Sequence, residues 1–288
     1  MTDWRQRLHG DPANWLLEAA DNPSVCFWFL RDVVGRPENA PNVVETRDLA
    51  LYSDEVQNIF AAQDPAGFWE SSFSLDLPRY RATLWTIALL AELGLPRQSR
   101  RARAACEFIL QSRFTENGDF VGLRDMGLRG LLVHALVYFI GPQDTRVLRA
   151  AERLAQTADI SPDSIVFTLW GLSSIPPDHR TLDVDKRVSQ ATERVLDRLA
   201  NRGYTASGTF PSFDPSDLFL ALYVISHVGR LADPRAQSAL ERVWEAQRED
   251  GRWALATSYG GMLLIEAEPT GVPSKWATLN ALRIVTRS

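Results

Sequence analysis

Trp244-Glu245-Ala246-Gln247-Arg248-Glu249-Asp250-Gly251-Arg252-Trp253 reads as the tail of a helix, a tight acidic turn and an aromatic. Gln63-Asp64-Pro65-Ala66-Gly67-Phe68-Trp69 repeats its Gln-x-x-x-Gly-x-Trp spacing without a gap. Gln111, followed by Glu116-Asn117-Gly118-Asp119-Phe120, repeats it with a longer turn and with Phe in place of Trp. A second apolar helix follows each copy. A helix ending in Gln, a glycine turn, an aromatic and another helix is one helical hairpin written several times. Gln63, Gln111, Gln156 and Gln247 recur at a period of roughly 40–50 residues, with Leu199-Ala200-Asn201 as a degenerate intermediate, and repeat folds live in that range.

Five hairpins follow from this rhythm. The first pairs a short outer helix around Val56, Ile59 and Phe60 with an inner helix over 79–93. The others pair 99–111 with 126–140, 145–156 with 163–174, 185–201 with 216–229, and 235–247 with 275–286. Ahead of them, Asp11-Pro12 starts a helix carrying Trp15, Leu16 and Ala19. Asn22-Pro23 breaks it, and a second helix runs over 25–34 to Gly35-Arg36-Pro37.

The two helices of a hairpin differ in pattern. Outer helices are amphipathic, as where Val188, Ala191, Val195 and Leu199 share a face and Arg187, Glu193, Arg194 and Asp197 lie elsewhere. Inner helices such as 82–90 and 218–225 are apolar nearly all round, and such a helix must be buried on every side. An outer layer enclosing an inner one is the result. The expected fold is all-α: a closed α/α toroid of five to six hairpins, since an open solenoid would need polar caps at its ends. Residues 1–288 are read as one toroid domain, with 1–54 completing the ring and 55–288 carrying the repeats.

Composition excludes several classes of function. The chain has 288 residues, 45% of them hydrophobic and 23% charged, with net charge −5, which describes a globular chain with ample core. Mild acidity and the lack of a Lys/Arg-rich run argue against nucleic acid. Cys26 and Cys106 stand alone in apolar helices, so neither a zinc set nor a disulfide framework is expected. No cofactor and no metal are expected. The first residues lack a signal-peptide core and no run approaches a membrane span, which makes a cytoplasmic location the expectation.

The copies at Gln63–Trp69 and Gln247–Trp253, with the weaker one at Gln111–Phe120, resemble the QW repeats of squalene–hopene cyclases and of the wider terpenoid cyclase/protein prenyltransferase superfamily. The resemblance spans roughly 55–288. It implies that Gln63, Gly67, Trp69, Gln111, Gly118, Phe120, Gln247, Gly251 and Trp253 are structural braces. It also implies a hydrophobic, isoprenoid-type ligand in the central cavity. The family's Asp-x-Asp-Asp acid motif is missing; Leu182-Asp183-Val184-Asp185-Lys186 is the nearest string and sits where Asp ordinarily caps a helix. The zinc ligands of prenyltransferases have no match.

Candidate site residues lie where inner helices start, because aligned helix dipoles make that rim electropositive. Arg79, Tyr80, Arg81, Arg124, Arg129, Asp163, Asp214, Asp217, Lys275 and Trp276 are expected on that rim, with Arg79, Tyr80, Arg81, Arg129, Lys275 and Trp276 as contacts for an anionic group such as a diphosphate or carboxylate. Salt bridging explains the Arg residues equally well, and capping explains the Asp residues. Trp85, Trp170, Tyr223 and Phe167 could line a cavity or fill it. Asp163, Asp217 and His134 are the catalytic candidates; a satisfied buried histidine is the plainer reading of His134. The segment over 254–273 lacks helical periodicity. Its Met262-Leu263-Leu264-Ile265-Glu266 run looks strand-like, and the whole suggests a lid. The alternative function is a non-catalytic interaction protein that keeps the toroid and docks a protein partner. Carbohydrate chemistry, a third reading, would need Asp163 paired with Asp217.

Overall fold

The computed structural model describes residues 4–157, 161–205 and 208–287. The helices are α1 (Ala13–Leu16), α2 (Pro23–Trp28), α3 (Pro41–Tyr52), α4 (Asp54–Ala61), α5 (Thr83–Glu92), α6 (Arg100–Ser112) and α7 (Arg129–Phe139). They continue with α8 (Thr145–Gln156), α9 (Ile165–Ser173), α10 (Leu182–Ala200), α11 (Leu218–His227), α12 (Pro234–Glu245) and α13 (Lys275–Val285). Two short strands, β1 (Gly208–Thr209) and β2 (Leu255–Thr257), pair in parallel. The class is therefore all-α, and the hairpin rhythm is present with boundaries shifted by a few residues. The strand-like expectation for Met262–Glu266 is corrected: that stretch forms bends, and the strand is Leu255–Thr257, where the backbone of β1 is available as partner.

The chain forms two compact units. One comprises Asp54–Arg194 and Met262–Ile265; the other comprises Met1–Ser53, Val195–Gly261 and Glu266–Ser288.

In the first of these, α5, α7 and α9 are the inner helices. Thr83 to Ala91 are all buried in α5, and Ile165 to Leu172 are all buried in α9. The outer helix α8 buries only Val147, Ala150, Ala151, Leu154 and Ala155, a stripe at helical spacing. Asp144 caps it, accepting from Arg146 N at 2.8 Å. Inner helices α7 and α9 touch through backbone at one point. A Cβ on Gly130 would collide with the Phe167 carbonyl, and one on Gly171 would collide with the Gly130 carbonyl.

In the other unit, α11, α13 and α2 play the inner role, and α2 is buried from Ser24 to Trp28. The N-terminal helix thus lies beside the last inner helix, α13. Lys275, at the start of α13, is itself buried.

The turns carry the repeat. In the first, Asp64 N donates to Phe68 O at 2.9 Å and Gly67 N to Asp64 O at 2.8 Å. In the last, Arg248 N donates to Arg252 O at 2.8 Å and Gly251 N to Arg248 O at 3.0 Å. Both glycines have positive φ, a region that other residues occupy at a cost. The aromatic is held identically. The Trp69 indole donates to Ile59 O at 2.8 Å and its backbone N to Thr83 Oγ1 at 3.0 Å. The Trp253 indole donates to Val243 O at 2.7 Å and its backbone N to Thr278 Oγ1 at 3.0 Å.

Each of these turns also holds the next segment. Gln63 Nε2 donates to Gly67 O and to Arg101 O on α6, at 2.9 and 3.0 Å. Gln247 Oε1 accepts His9 N at 3.1 Å. A Cβ on Gly67 would stand 2.7 Å from Ala104 O, and one on Gly251 would collide with Gly10 O. Residues around His9 and Gly10 therefore occupy, beside the fifth hairpin, the place that α6 occupies beside the first.

The middle copy corrects the expectation for Gln111. Its side chain is exposed and bonds Glu107 at 3.0 Å. The turn is not longer: Thr115 N donates to Asp119 O at 2.9 Å and Gly118 N to Thr115 O at 3.0 Å, as in the other two turns. Counted back from Gly118, the brace position is Phe114, which packs on Phe120 with ring centroids 5.4 Å apart. A phenylalanine cannot bridge to the next hairpin, so Gly118 against Arg149 O and an Asp119–Arg153 ion pair at 3.3 Å make that contact instead.

Candidate functional site

The loops that lead into α5 and α7 meet over Asp76. Its carboxylate is buried and accepts Arg124 N at 3.3 Å and Asp125 N at 3.1 Å, while its carbonyl accepts the Trp85 indole at 2.9 Å. Tyr80 stands edge-on to Trp85, with centroids 4.9 Å apart. Trp85 is thus locked between Asp76 and Tyr80. Sequence reading missed Asp76; an acid in the Leu75-Asp76-Leu77-Pro78 run was the available signal.

Four of the cations expected at the helix starts have a carboxylate. Arg79 pairs with Asp125 at 3.3 Å and Arg81 with Glu70 at 2.8 Å. Arg129 is buried against Asp119 and donates to Thr157 Oγ1 at 3.2 Å. Burial pulls its guanidinium below the ordinary value, and Asp119 pulls it back. Arg124 is exposed. In the other unit Lys275 Nζ contacts Glu18 at 2.9 Å and Asp21 at 2.8 Å. Trp276 is buried and stacks on Phe210 at 3.7 Å. Tyr223 accepts Arg283 Nη2 at 2.6 Å, and Arg283 in turn pairs with buried Asp32 at 2.7 Å.

His134 is half-buried, stacked on Trp170 at 4.2 Å with Nδ1 2.7 Å from Ser174 Oγ. Trp170 and Phe167 are buried. Asp163 is exposed, and the N-cap position of α9 belongs to Ser164. Asp214 closes a local turn, its Oδ1 accepting Ser216 N at 2.8 Å and Ser216 Oγ at 2.6 Å.

Asp217 differs from the other acids. It is buried at the N-cap of α11, its Oδ1 accepting Phe219 N at 2.8 Å. Its Oδ2 accepts Thr209 N at 2.8 Å and Thr209 Oγ1 at 2.7 Å. Burial pushes this carboxyl up to about 7, against the pull of Thr209 and Phe219. Asp163 and Asp217 lie in different units.

A carboxyl raised this far makes stability depend on pH. Between the ordinary aspartate value of about 3.9 and about 7, the folded chain holds a proton that the unfolded chain has released. Stability therefore falls as pH rises through that window and levels off above it, a change of at most about 4 kcal/mol. Asp217→Asn keeps a capping oxygen but cannot titrate. Denaturant unfolding from pH 4 to 8 should show the slope shrinking in the variant. A wild-type-minus-variant difference that is flat with pH would remove this assignment.

Among the described residues no group of three or more His, Cys, Asp or Glu side chains gathers as a metal site, and no helix is long and apolar enough to cross a membrane.

No protein-family model and no curated protein matches the chain. Among solved structures it is similar to two variants of the type II terpene cyclase MstE from Scytonema, both in complex with the substrate geranylgeranyl dihydroxybenzoate. One alignment has 15% identity over 93% of this chain and 87% of that chain, with a TM-score of 0.48. The other has 16% identity over 96% of each, with a TM-score of 0.46.

Proposed function

We propose that the chain is a terpenoid-cyclase-like α/α toroid that binds an uncharged, apolar ligand of isoprenoid type among its inner helices. The supporting observation is the pair of turns at Gln63–Trp69 and Gln247–Trp253, which share the same backbone bonds and the same indole-to-carbonyl bond and resemble QW repeats in sequence. The charge pattern selects the ligand's head. Arg79, Arg81, Arg129 and Lys275 all have carboxylate partners, so a diphosphate would have to break existing pairs and leave acids behind. An uncharged head avoids that cost.

The chemistry of such a site is limited. Asp217 is held by three donors, which suits a brace better than a proton donor to an alkene. This observation favours a second reading, a non-catalytic interaction protein. The two separate under calorimetric titration of the intact chain with geranylgeraniol and geranylgeranyl diphosphate. Saturable binding of the alcohol, at least tenfold tighter than the diphosphate, is expected; tenfold corresponds to about 1.4 kcal/mol. Binding of neither supports the interaction protein, and preference for the diphosphate overturns the uncharged head.

A further inference from the structure

The N-terminal segment is clamped from outside. Arg7 grips Glu241 with bonds of 2.9 and 2.6 Å, and His9 N donates to Gln247 Oε1. The Arg252 guanidinium lies 4.0 Å from the centroid of the Trp15 ring. Between this segment and the residues that follow α2, Phe29 to Val34, lies a cavity of about 530 Å³, within the range of about 300–1,000 Å³ typical of small-molecule sites. Trp4, Leu8, Pro12 and Leu17 line it from the segment, Phe29, Val33 and Val34 from the turn after α2, and Leu282 from α13. Leu17 is 39% and Val34 47% exposed, so apolar surface is left open to water.

A second observation is independent of the volume. Straight after α2 the helix widens into a π turn over Phe29–Val33, with Val34 N donating to Phe29 O at 3.0 Å. Such turns concentrate at functional sites, because the extra residue re-aims side chains. Here the first and last residues of the turn, Phe29 and Val33, both line the cavity. The charged residues in the lining are Arg5 and Asp11. Asp11 Oδ1 accepts Ala13 N at 2.9 Å, and the Arg5 guanidinium lies 4.5 Å over the Trp4 ring. With one charge of each sign in the lining, an uncharged dipole is favoured over a carboxylate or an ammonium.

We propose that this cavity binds a small apolar molecule with an uncharged polar end, such as a chain alcohol or ketone. None of its lining residues is among those named for the inner-helix ligand above. The tail replaces water along Leu8, Leu17, Phe29 and Val34, and the hydroxyl or carbonyl lies between Arg5 and Asp11.

The test titrates the intact chain with 1-decanol, decanoate and decylamine by calorimetry and by tryptophan fluorescence. Saturable decanol binding at one molecule per chain is expected, with decanoate and decylamine weaker. Leu17→Asp and Val34→Asp, at half-open positions, should weaken it at least tenfold with the melting curve retained. In Trp4→Phe, most of the fluorescence change on adding decanol should vanish; this variant decides the matter if either aspartate variant fails to fold. No saturable decanol binding, tenfold preference for a charged head, undiminished binding in both aspartate variants, or an unchanged fluorescence response in Trp4→Phe would each overturn the proposal.

Discussion

Gly130→Ala is expected to cost at least about 3 kcal/mol of stability, although alanine is the better helix former by about 1 kcal/mol. The added Cβ meets the backbone carbonyl of Phe167, and no rotamer change can move a backbone atom aside. Helices α7 and α9 must separate along their length, and overpacking of a tight core typically costs about 1–3 kcal/mol or more even where side chains can yield. Gly171→Ala meets the Gly130 carbonyl and should behave alike. Denaturant midpoints at constant slope give the comparison. An alanine variant as stable as the parent would show that α7 and α9 do not cross through this glycine pair.

Trp69→Ala and Trp253→Ala should each lose roughly 3–5 kcal/mol, the usual cost of deleting a fully buried large aromatic. Both rings are 1% exposed. Trp69→Phe keeps most of the apolar area and loses only the bond to Ile59 O, so about 1–3 kcal/mol is expected. The middle turn already uses Phe120. Equal losses for Phe and Ala at position 69 would mean that the indole bond, and not the packed ring, dominates.

The fold was legible where a local rule governs it. Helix type and extent follow from periodicity, and α8 begins and ends at Thr145 and Gln156 as the pattern predicts. The register of the middle turn was not legible from Gln111. A glutamine near a helix end is common, whereas Gly118, which needs positive φ and touches Arg149 O, can stand in one place only. Counting from that glycine would have put Phe114, not Gln111, at the brace. The clamp at His9 and Gly10 was also hidden, because that stretch has no helical periodicity to reveal a repeat.

The candidate site was less legible for a different reason. Charge can be counted in a sequence, but pairing needs distance. Lys275 meets Glu18 across 257 positions and Arg79 meets Asp125 across 46, so a rim that looks cationic on paper is locally compensated. Asp217 reads in the sequence as a cap or an acid; its raised carboxyl comes from burial, against the pull of Thr209 on the short strand β1, and burial is a tertiary property.

The most direct test of the central claim is native mass spectrometry of the chain isolated from its own host, followed by identification of whatever stays bound. Retention of an uncharged isoprenoid or similar apolar molecule, at about one per chain and displaced by added geranylgeraniol, is the predicted result. A phosphorylated ligand, or an empty chain that geranylgeraniol also leaves empty, would contradict it.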